Sequence, residues 1–469
     1  MSEVKSRSLR ILFTNNTLAA KAGSELYIRD LAIELMKRGH RPVAYSSVHG
    51  LVAQELRTAT IPVIDDLAAL GEAPDLIHGQ HHMDAMAAML RFPHTPAVYV
   101  CHGWAPWEEQ PPRFPSIGRY VAVDDLCRER LLSTPGIGSA DIDTIYNFVD
   151  LELFQARVAL PDKPGKALVF SNYAGDSPQL AAIRSACARF GIAQVDVAGV
   201  ASGNPILHPE KTLPEYDLVF AKARCALEAM AVGCAVIVTD YAGLAGLVTT
   251  QNMQRLRELN FGVRSMQQAR VSEDSVFAAL TQYDAADAQQ VSQWIRQHAG
   301  LRSAADQWEA LYWRVIDFSI APPAPDALLG AAADYLCSLH EPLKRRMEAE
   351  ASAARAKAEL QTSLLQQEEL QRQLTEQCEA SIAQQARMAE MQSQTQSQQQ
   401  RYVELISRLD ADEKDRQQRF VVQQDQANEL KELNEQVATC QAQLKEIHSS
   451  KAWKAIGLYR KLHICLPWR

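Results

Sequence analysis

Short apolar runs alternate with longer amphipathic stretches up to about residue 320. Leu9 to Phe13 is β-like, and Ser24 to Arg38 has helical periodicity. Strands are then predicted at Arg41–Ser46, Leu76–His78, Ala97–Cys101, Tyr120–Val123 and Thr144–Tyr146. A β-α-β rhythm of this kind predicts a parallel sheet covered by helices on both faces. After the turn-rich stretch Pro161–Lys166 the rhythm restarts, with strands at Ala167–Ser171, Gln194–Ala198, Leu218–Phe220 and Ala235–Thr239. Helices are expected between them, including Pro178–Phe190 and Ala226–Val232. Two α/β sets divided by a Pro/Gly/Lys hinge predict two Rossmann-like lobes, whose ligands sit beyond the carboxyl ends of the strands.

The pattern changes at Ala353, from which neither Gly nor Pro occurs until Gly457. Leu430, Leu433, Val437, Cys440, Leu444 and Ile447 keep a strict 3-4 spacing. Projected backwards by sevens, the register also finds Leu409, Leu405, Tyr402, Met391, Met388, Leu374, Leu370 and Leu360. A register sustained without a stutter predicts a long α-helical coiled coil, roughly 140 Å at 1.5 Å per residue. Its seam is mixed, since Gln377, Ser381, Gln384, Thr395, Asp412, Arg416, Arg419, Gln423 and Gln426 share the same positions. The same register reaches Lys451, Lys454 and Lys461, which ends the coil after Ile447. The tail that follows mixes Lys and Arg with Trp453, Tyr459 and Trp468, a composition suited to a membrane surface or to a protein partner.

Composition narrows the class. A net charge of −8 argues against a general nucleic-acid binder, which needs a clustered cationic excess. The nine cysteines are scattered singly, without a Cys-x-x-Cys pair, which fits a reducing cytosol rather than a zinc site or disulfide framework. No window approaches the ~18–20 apolar residues of a spanning helix, so the expected location is cytoplasmic, with any membrane contact peripheral.

Candidate chemistry lies at strand ends. Ala22-Gly23-Ser24-Glu25 opens a helix after the first strand, where free N–H groups suit polar or anionic ligands, although a Gly or Ser there is more often a simple cap. His102 and Gly103 directly follow a strand, which would bring an imidazole to the cleft as a hydrogen-bonding or acid/base group. His78, His81 and His82 cluster at another strand end, but no recognised ligand spacing accompanies them and no metal is expected. Asn147 and Asp150 fall at the lobe junction. In the second lobe a strand delivers Lys222 and Arg224 to a helix start, with Glu228 in the helix. Two cations there suit a diphosphate leaving group, and a carboxylate suits ribose hydroxyls. Solvated loop cations and a surface glutamate are the plainer alternative. Asp240 to Gly246 forms a loop whose glycines would let backbone N–H groups approach phosphate.

These segments together resemble the family 4 glycosyltransferases of the GT-B fold. Gly23 and Glu25 match that family's Gly-x-Glu turn, Arg38-Gly39-His40 with Pro42-Val43 the end of its first helix, and Asp75-Leu76-Ile77-His78 its Asp-x-x-His. His102-Gly103, Val121-Ala122-Val123, Asn147-Phe148-Val149-Asp150 and Glu228 to Val236 match later motifs in order. Three features depart from it. Phe220 stands where the first of two glutamates is usual, Phe170-Ser171-Asn172-Tyr173 carries no cation, and Gly246 replaces a further glutamate.

The resemblance implies a metal-independent, retaining transfer of a sugar from a nucleotide-diphosphate sugar to a glycan or lipid-linked acceptor, in surface-polysaccharide assembly. It implies no cofactor. His102, Lys222 and Arg224 would be the catalytic set, with Gly23, Glu25, Asn172, Glu228, Gly243 and Leu244 around the donor. The expected domains are residues 1–160 (acceptor side), 161–320 (donor side), a linker over 321–352, the coiled coil over 353–448 and a basic tail over 449–469. Partners would be a homo-oligomer or an assembly partner through the coil. The alternative is an inactive GT-B-like scaffold that organises a polysaccharide-assembly complex; an epimerase or phosphorylase has less support.

Overall fold

The computed structural model describes residues 8–172, 174–267, 269–318, 323–391 and 401–417, with 419, 421, 424 and 439. The predicted seam from Leu430 onward, apart from isolated residues, and the tail over 451–469 lie outside the described residues. The chain divides into two compact units, the first reaching Tyr335 and the second running from Leu336 to Leu444.

The first lobe runs β1 (Arg10–Thr14), α1 (Gly23–Lys37), β2 (Arg41–Tyr45), α2 (Leu51–Thr58), β3 (Val63–Ile64), β4 (Leu76–Gln80), α3 (His82–Arg91), β5 (Ala97–Cys101), β6 (Ile117–Ala122), α4 (Asp125–Ser133) and β7 (Ile142–Thr144). Its seven strands lie parallel in the order β3-β2-β1-β4-β5-β6-β7. Strands covered on both faces must be apolar throughout, and every residue of β5 is buried. The order reverses between β1 and β4, and there the loops from the two directions part and leave a crevice.

The second lobe runs β8 (Lys166–Phe170), α5 (Pro178–Phe190), β9 (Gln194–Ala198), α6 (Pro209–Thr212), β10 (Leu218–Ala221), α7 (Ala223–Val232), β11 (Ala235–Asp240), β12 (Gly243–Leu247), α8 (Met253–Glu258), α9 (Glu273–Leu280) and α10 (Ala285–His298). The strand order is β12-β11-β10-β8-β9, with its reversal between β8 and β10. Two separate apolar cores form around this sheet, one including Val219, Met230 and Ile295 and the other Ile183, Phe220 and Val276. α5 begins in the way its sequence prescribes: Ser177 accepts the Leu180 N–H and Pro178 occupies the first turn.

β12 corrects the sequence expectation. The stretch expected to be a phosphate-binding loop is an antiparallel strand on β11, closed by a two-residue turn at Tyr241-Ala242. Gly243 has φ +143°, and a Cβ there would stand 2.2 Å from the Met266 carbonyl oxygen. Its glycine serves this close backbone approach.

α11 (Leu301–Phe318) leaves the second lobe and packs on α1, β5 and β6 of the first. Trp308 is fully buried and donates to the Tyr27 hydroxyl at 2.9 Å. Tyr312 Oη lies 2.7 Å from His78 Nδ1, and Arg38 binds both Asp306 and Glu309. Residues 301–318 therefore cover the first lobe, although sequence placed them in the second. The expected linker over 321–352 is largely helical, comprising α12 (Pro325–Ser338) and the start of α13 (His340–Met391).

In the second unit, α13 and the helical stretch 401–417 line one common groove, with Leu370, Leu374 and Gln377 on one side and Asp412, Asp415 and Arg416 on the other. Along α13 the shielded positions include Ala353, Ala356, Leu360, Ser363, Gln367, Leu374, Cys378 and Ser381, and opposite them Leu405, Leu409 and Arg416. Part of the mixed seam thus meets within one chain. Small and polar residues tolerate that, because two helices alone shield little area. Among the described residues no helix is long and apolar enough to cross a membrane.

Candidate active site

The carboxyl ends of the first-lobe strands deliver Asn15 and Asn16 after β1, His81 and His82 after β4, and His102 after β5. Neighbouring strands bring them together. The Asn16 N–H reaches His81 Nδ1 at 3.3 Å, and His81 Nε2 stands 3.5 Å from Glu109. Glu109, in the single turn Trp107–Glu109, also accepts the His102 N–H at 2.9 Å. The His102 ring packs edge-on against Tyr27 at 4.7 Å. Its Nε2 is buried and unpartnered among the described residues. Burial pushes the His102 imidazole down to about 3, so it is neutral at pH 7. Burial also raises the Glu109 carboxyl to about 8, against the opposing His102 N–H bond. His82 is held to about 3, first by burial and then by the Arg130 cation.

Gly23 is exposed in the first turn of α1, with nothing within 4 Å of its Cβ position. Glu25, in the same first turn, is buried; desolvation raises its carboxyl to about 7, opposed by its own N–H and the Ser24 hydroxyl.

The second-lobe candidates are already engaged. Lys222, at the helix cap of α7, forms an ion pair with Asp240 and lies 5.1 Å from the Tyr241 ring centroid. Arg224 bonds Glu228 at 2.6 Å and reaches across to Asp30 on α1. Burial alone would lower the Arg224 pKa, but Asp30 and Glu228 outweigh it and raise it. Burial raises Glu228, and the Arg224 cation opposes that. Arg29 extends this chain of charges, pairing with Asp30 at 2.6 Å and with Glu55 at 2.7 Å. Lys21 joins at Glu55 (2.8 Å) and also donates to the Leu207 carbonyl of the second lobe. These cations are not free loop charges; Arg224 and Lys21 tie one lobe to the other.

Asn172 is exposed after β8, next to Ser171, whose hydroxyl donates to Asp240 at 3.3 Å. The Leu244 N–H is taken by the Ala269 carbonyl at 2.9 Å, so the phosphate role expected of Gly243 and Leu244 has no free donor at Leu244. Asn147 offers its carbonyl to the buried Arg257, whose pKa burial lowers to about 10, and Asp150 caps the next turn through the Glu152 N–H. The site residues Asn15, Asp30 and Glu109 were not singled out from sequence. The pair Asn15-Asn16 directly after a strand was an available signal. Asp30 and Glu109 had none, because only tertiary contacts bring them to the site.

Residues 22–153 match Glycosyltransferase Family 4. The Family 4 match thus spans α1 with Gly23, Glu25 and Asp30, the histidine-bearing loops, and the junction through Asp150. Similar solved structures include a glycosyltransferase from Rickettsia africae, at 12% identity and TM-score 0.48, covering 66% of this chain and 99% of that one. Anabaena HepE, solved with UDP and glucose, gives 15% and 0.47, covering 65% and 99%. The catalytic domain of starch synthase IV from Arabidopsis thaliana, bound to ADP and acarbose, gives 12% and 0.41, covering 66% and 100%. Comparison with curated protein sequences gives no match. Among the described residues no group of three or more His, Cys, Asp or Glu side chains is arranged to hold a metal ion.

Proposed function

We propose that the chain is a glycosyltransferase that moves a sugar from a nucleotide-diphosphate donor in the second lobe to a hydroxyl acceptor in the first. The observation that carries this is the Family 4 match over the lobe whose switch point gathers neutral, buried hydrogen-bonding side chains. Transfer needs stabilisation of the leaving diphosphate and an oriented acceptor hydroxyl. Lys222 and Arg224, at the start of α7, would supply cations beside a helix N-terminus, exchanging Asp240 and Asp30 for phosphate oxygens. Glu228 would accept the ribose hydroxyls, and Gly23 would present the open first turn of α1 to the phosphates. Glu25 and Asn172 would flank the donor. His102, neutral, would bond a sugar or acceptor hydroxyl through Nε2. Retention without a metal, a role in surface-polysaccharide assembly, self-association through the helical unit, and peripheral membrane contact through the tail belong to the same proposal.

A second reading is favoured by the ion pairs themselves: with Lys222 and Arg224 both paired, the lobes would form a scaffold without turnover. Melting the full chain against a panel of nucleotide sugars, followed by an assay of nucleoside diphosphate release with any that binds, separates the two, since a ligand bound only by the folded state raises the melting temperature and only a transferase turns it over. Stabilisation by one nucleotide sugar, lost in both Lys222→Ala and Glu228→Ala, is expected. No stabilisation by any of them would leave the scaffold.

A further inference from the structure

The helical unit closes its seam within one chain. Gln367, Leu370 and Leu374 of α13 share a groove with Asp412, Arg416 and Arg419. Nine residues connect Met391 to Arg401, a reach of about 35 Å at most, whereas a parallel return would have to begin roughly 50 Å back along α13. The return helix is therefore antiparallel to α13.

The outer surface of this hairpin has two unlike faces. The register is lettered a to g, with Leu360, Leu374 and Leu409 at a and Ser363, Leu370 and Leu405 at d. Among the described residues, the exposed large apolar side chains off the seam then fall at b, e and f. They are Leu364, Leu365 and Ile382 on α13, and Val403, Ile406 and Val421 on the return helix, all between 43% and 64% exposed. Met347, also exposed, is at b. Positions c and g hold instead Glu359, Glu369, Glu376, Arg401, Glu404 and Arg408. Reversing one helix of a pair brings the e positions of both to the same side, and b and f adjoin e. The six apolar side chains therefore lie on one face of the hairpin, and the opposite face is charged.

Counted outward from the groove, Ile382 comes level with Val403 and Ile406, and Leu364 and Leu365 with Val421. Leu365 and Ile382 are 17 residues apart, about 25 Å along the helix. Between these two patches the face carries both signs, with Glu368, Arg372 and Glu379 on α13 and Asp410, Glu413 and Lys414 on the return helix. Four carboxylates against two cations do not suit an anionic membrane surface, which attracts basic faces. A face that reads patch, mixed charge, patch matches itself when turned by 180°, as a two-fold pair of identical chains requires. Its footprint, roughly 35 Å by two helix diameters, is about 700 Å² per copy. The resulting ~1,400 Å² for a pair falls within the ~1,200–2,000 Å² of a stable interface.

We infer that two copies of the chain meet on this face, their hairpins stacking into a four-helix bundle. The inference rests on the self-association put forward above and moves it from the seam, already used within each chain, to the outer face. Sedimentation equilibrium of the full chain tests it with wild type, Leu365→Lys and Ile406→Lys. Thr362→Lys, at an exposed c position, is the control with the same added charge on the opposite face. Wild type is expected to be a dimer with Kd about 1 μM or tighter. Each face variant should raise Kd about hundredfold, tenfold for each of the two copies, while Thr362→Lys changes it less than about threefold. Both face positions are exposed, so circular dichroism should show unchanged helix content, and either variant alone carries the test if the other fails to fold. A monomeric wild type, a stoichiometry other than two, or equal weakening by Thr362→Lys would overturn the inference. A dimer that survives both face variants would leave self-association standing and remove this face. Donor turnover by a monomeric chain would leave the transferase reading intact and remove only the pairing.

Discussion

Arg224→Met is the most informative single change. The guanidinium lies between two buried carboxylates, Asp30 and Glu228, with side chains 6% and 5% exposed. Methionine keeps much of the volume but leaves both carboxylates without this partner. Breaking a buried pair typically costs about 3–5 kcal/mol, mostly from the charge left behind, whereas an exposed pair is worth about 0–1. Arg29 still compensates Asp30, so the lower half of that range, about 3 kcal/mol, is expected. Urea denaturation of wild type, Arg224→Met, Glu228→Gln and the double variant reads it as a cycle. The double variant should recover part of the loss, because one uncompensated carboxylate has gone. The loss should change little between low and high salt, since buried pairs are poorly screened. A loss below about 1 kcal/mol, or one that vanishes in salt, would show that Arg224 is a solvated surface cation and would refute the buried inter-lobe link.

Further outcomes follow from other buried groups. Glu25, raised to about 7 in the fold against 4.5 unfolded, binds its proton more tightly when folded, so stability should fall as pH rises from about 4.5 to 7 and level off above. Glu25→Gln should flatten that fall by up to about 3 kcal/mol, read by urea denaturation at pH 5 and pH 8; an unchanged pH profile would contradict the burial of this carboxyl. Trp308→Ala should cost about 3–5 kcal/mol by opening a cavity between α11 and the first lobe, measured by the same denaturation; a loss under 1 kcal/mol would mean that α11 does not pack there. Tyr335→Phe should cost about 1–2 kcal/mol, because it leaves His82 Nδ1 buried without its hydroxyl partner.

The sheets were legible because parallel strands buried on both faces read as continuous apolar runs between amphipathic helices. Ala97–Cys101 falls where the pattern put it, and Ala235–Thr239 lies within β11. β12 was hidden, since Gly243-Leu244-Ala245-Gly246 has no alternation and its glycine suits a close backbone approach as well as a loop. Residues 301–318 were assigned to the second lobe only by their place in the chain, because nothing in the order of elements shows that α11 crosses back to cover the first. The positions of His102 and Lys222 at strand ends were legible because strand ends are visible in sequence. Their partners were not. Asp30 and Glu109 become site residues only through pairings 194 and 7 positions away, to Arg224 and to His102. The charges meant for a diphosphate therefore looked free in sequence and are paired in the fold.

Sugar transfer is read without intermediaries by the formation of its product. Purified full-length protein is incubated with each nucleotide-diphosphate sugar and a set of simple glycosides (methyl α-glucoside, methyl α-mannoside and methyl N-acetylglucosaminide), and the extended glycoside is sought by mass spectrometry alongside released nucleoside diphosphate. One donor–acceptor pair should give a product one sugar heavier with an equimolar amount of nucleoside diphosphate, and both should fall at least tenfold in His102→Ala and Lys222→Ala. Folded protein that binds no nucleotide sugar and forms no extended glycoside with any pair would contradict the account.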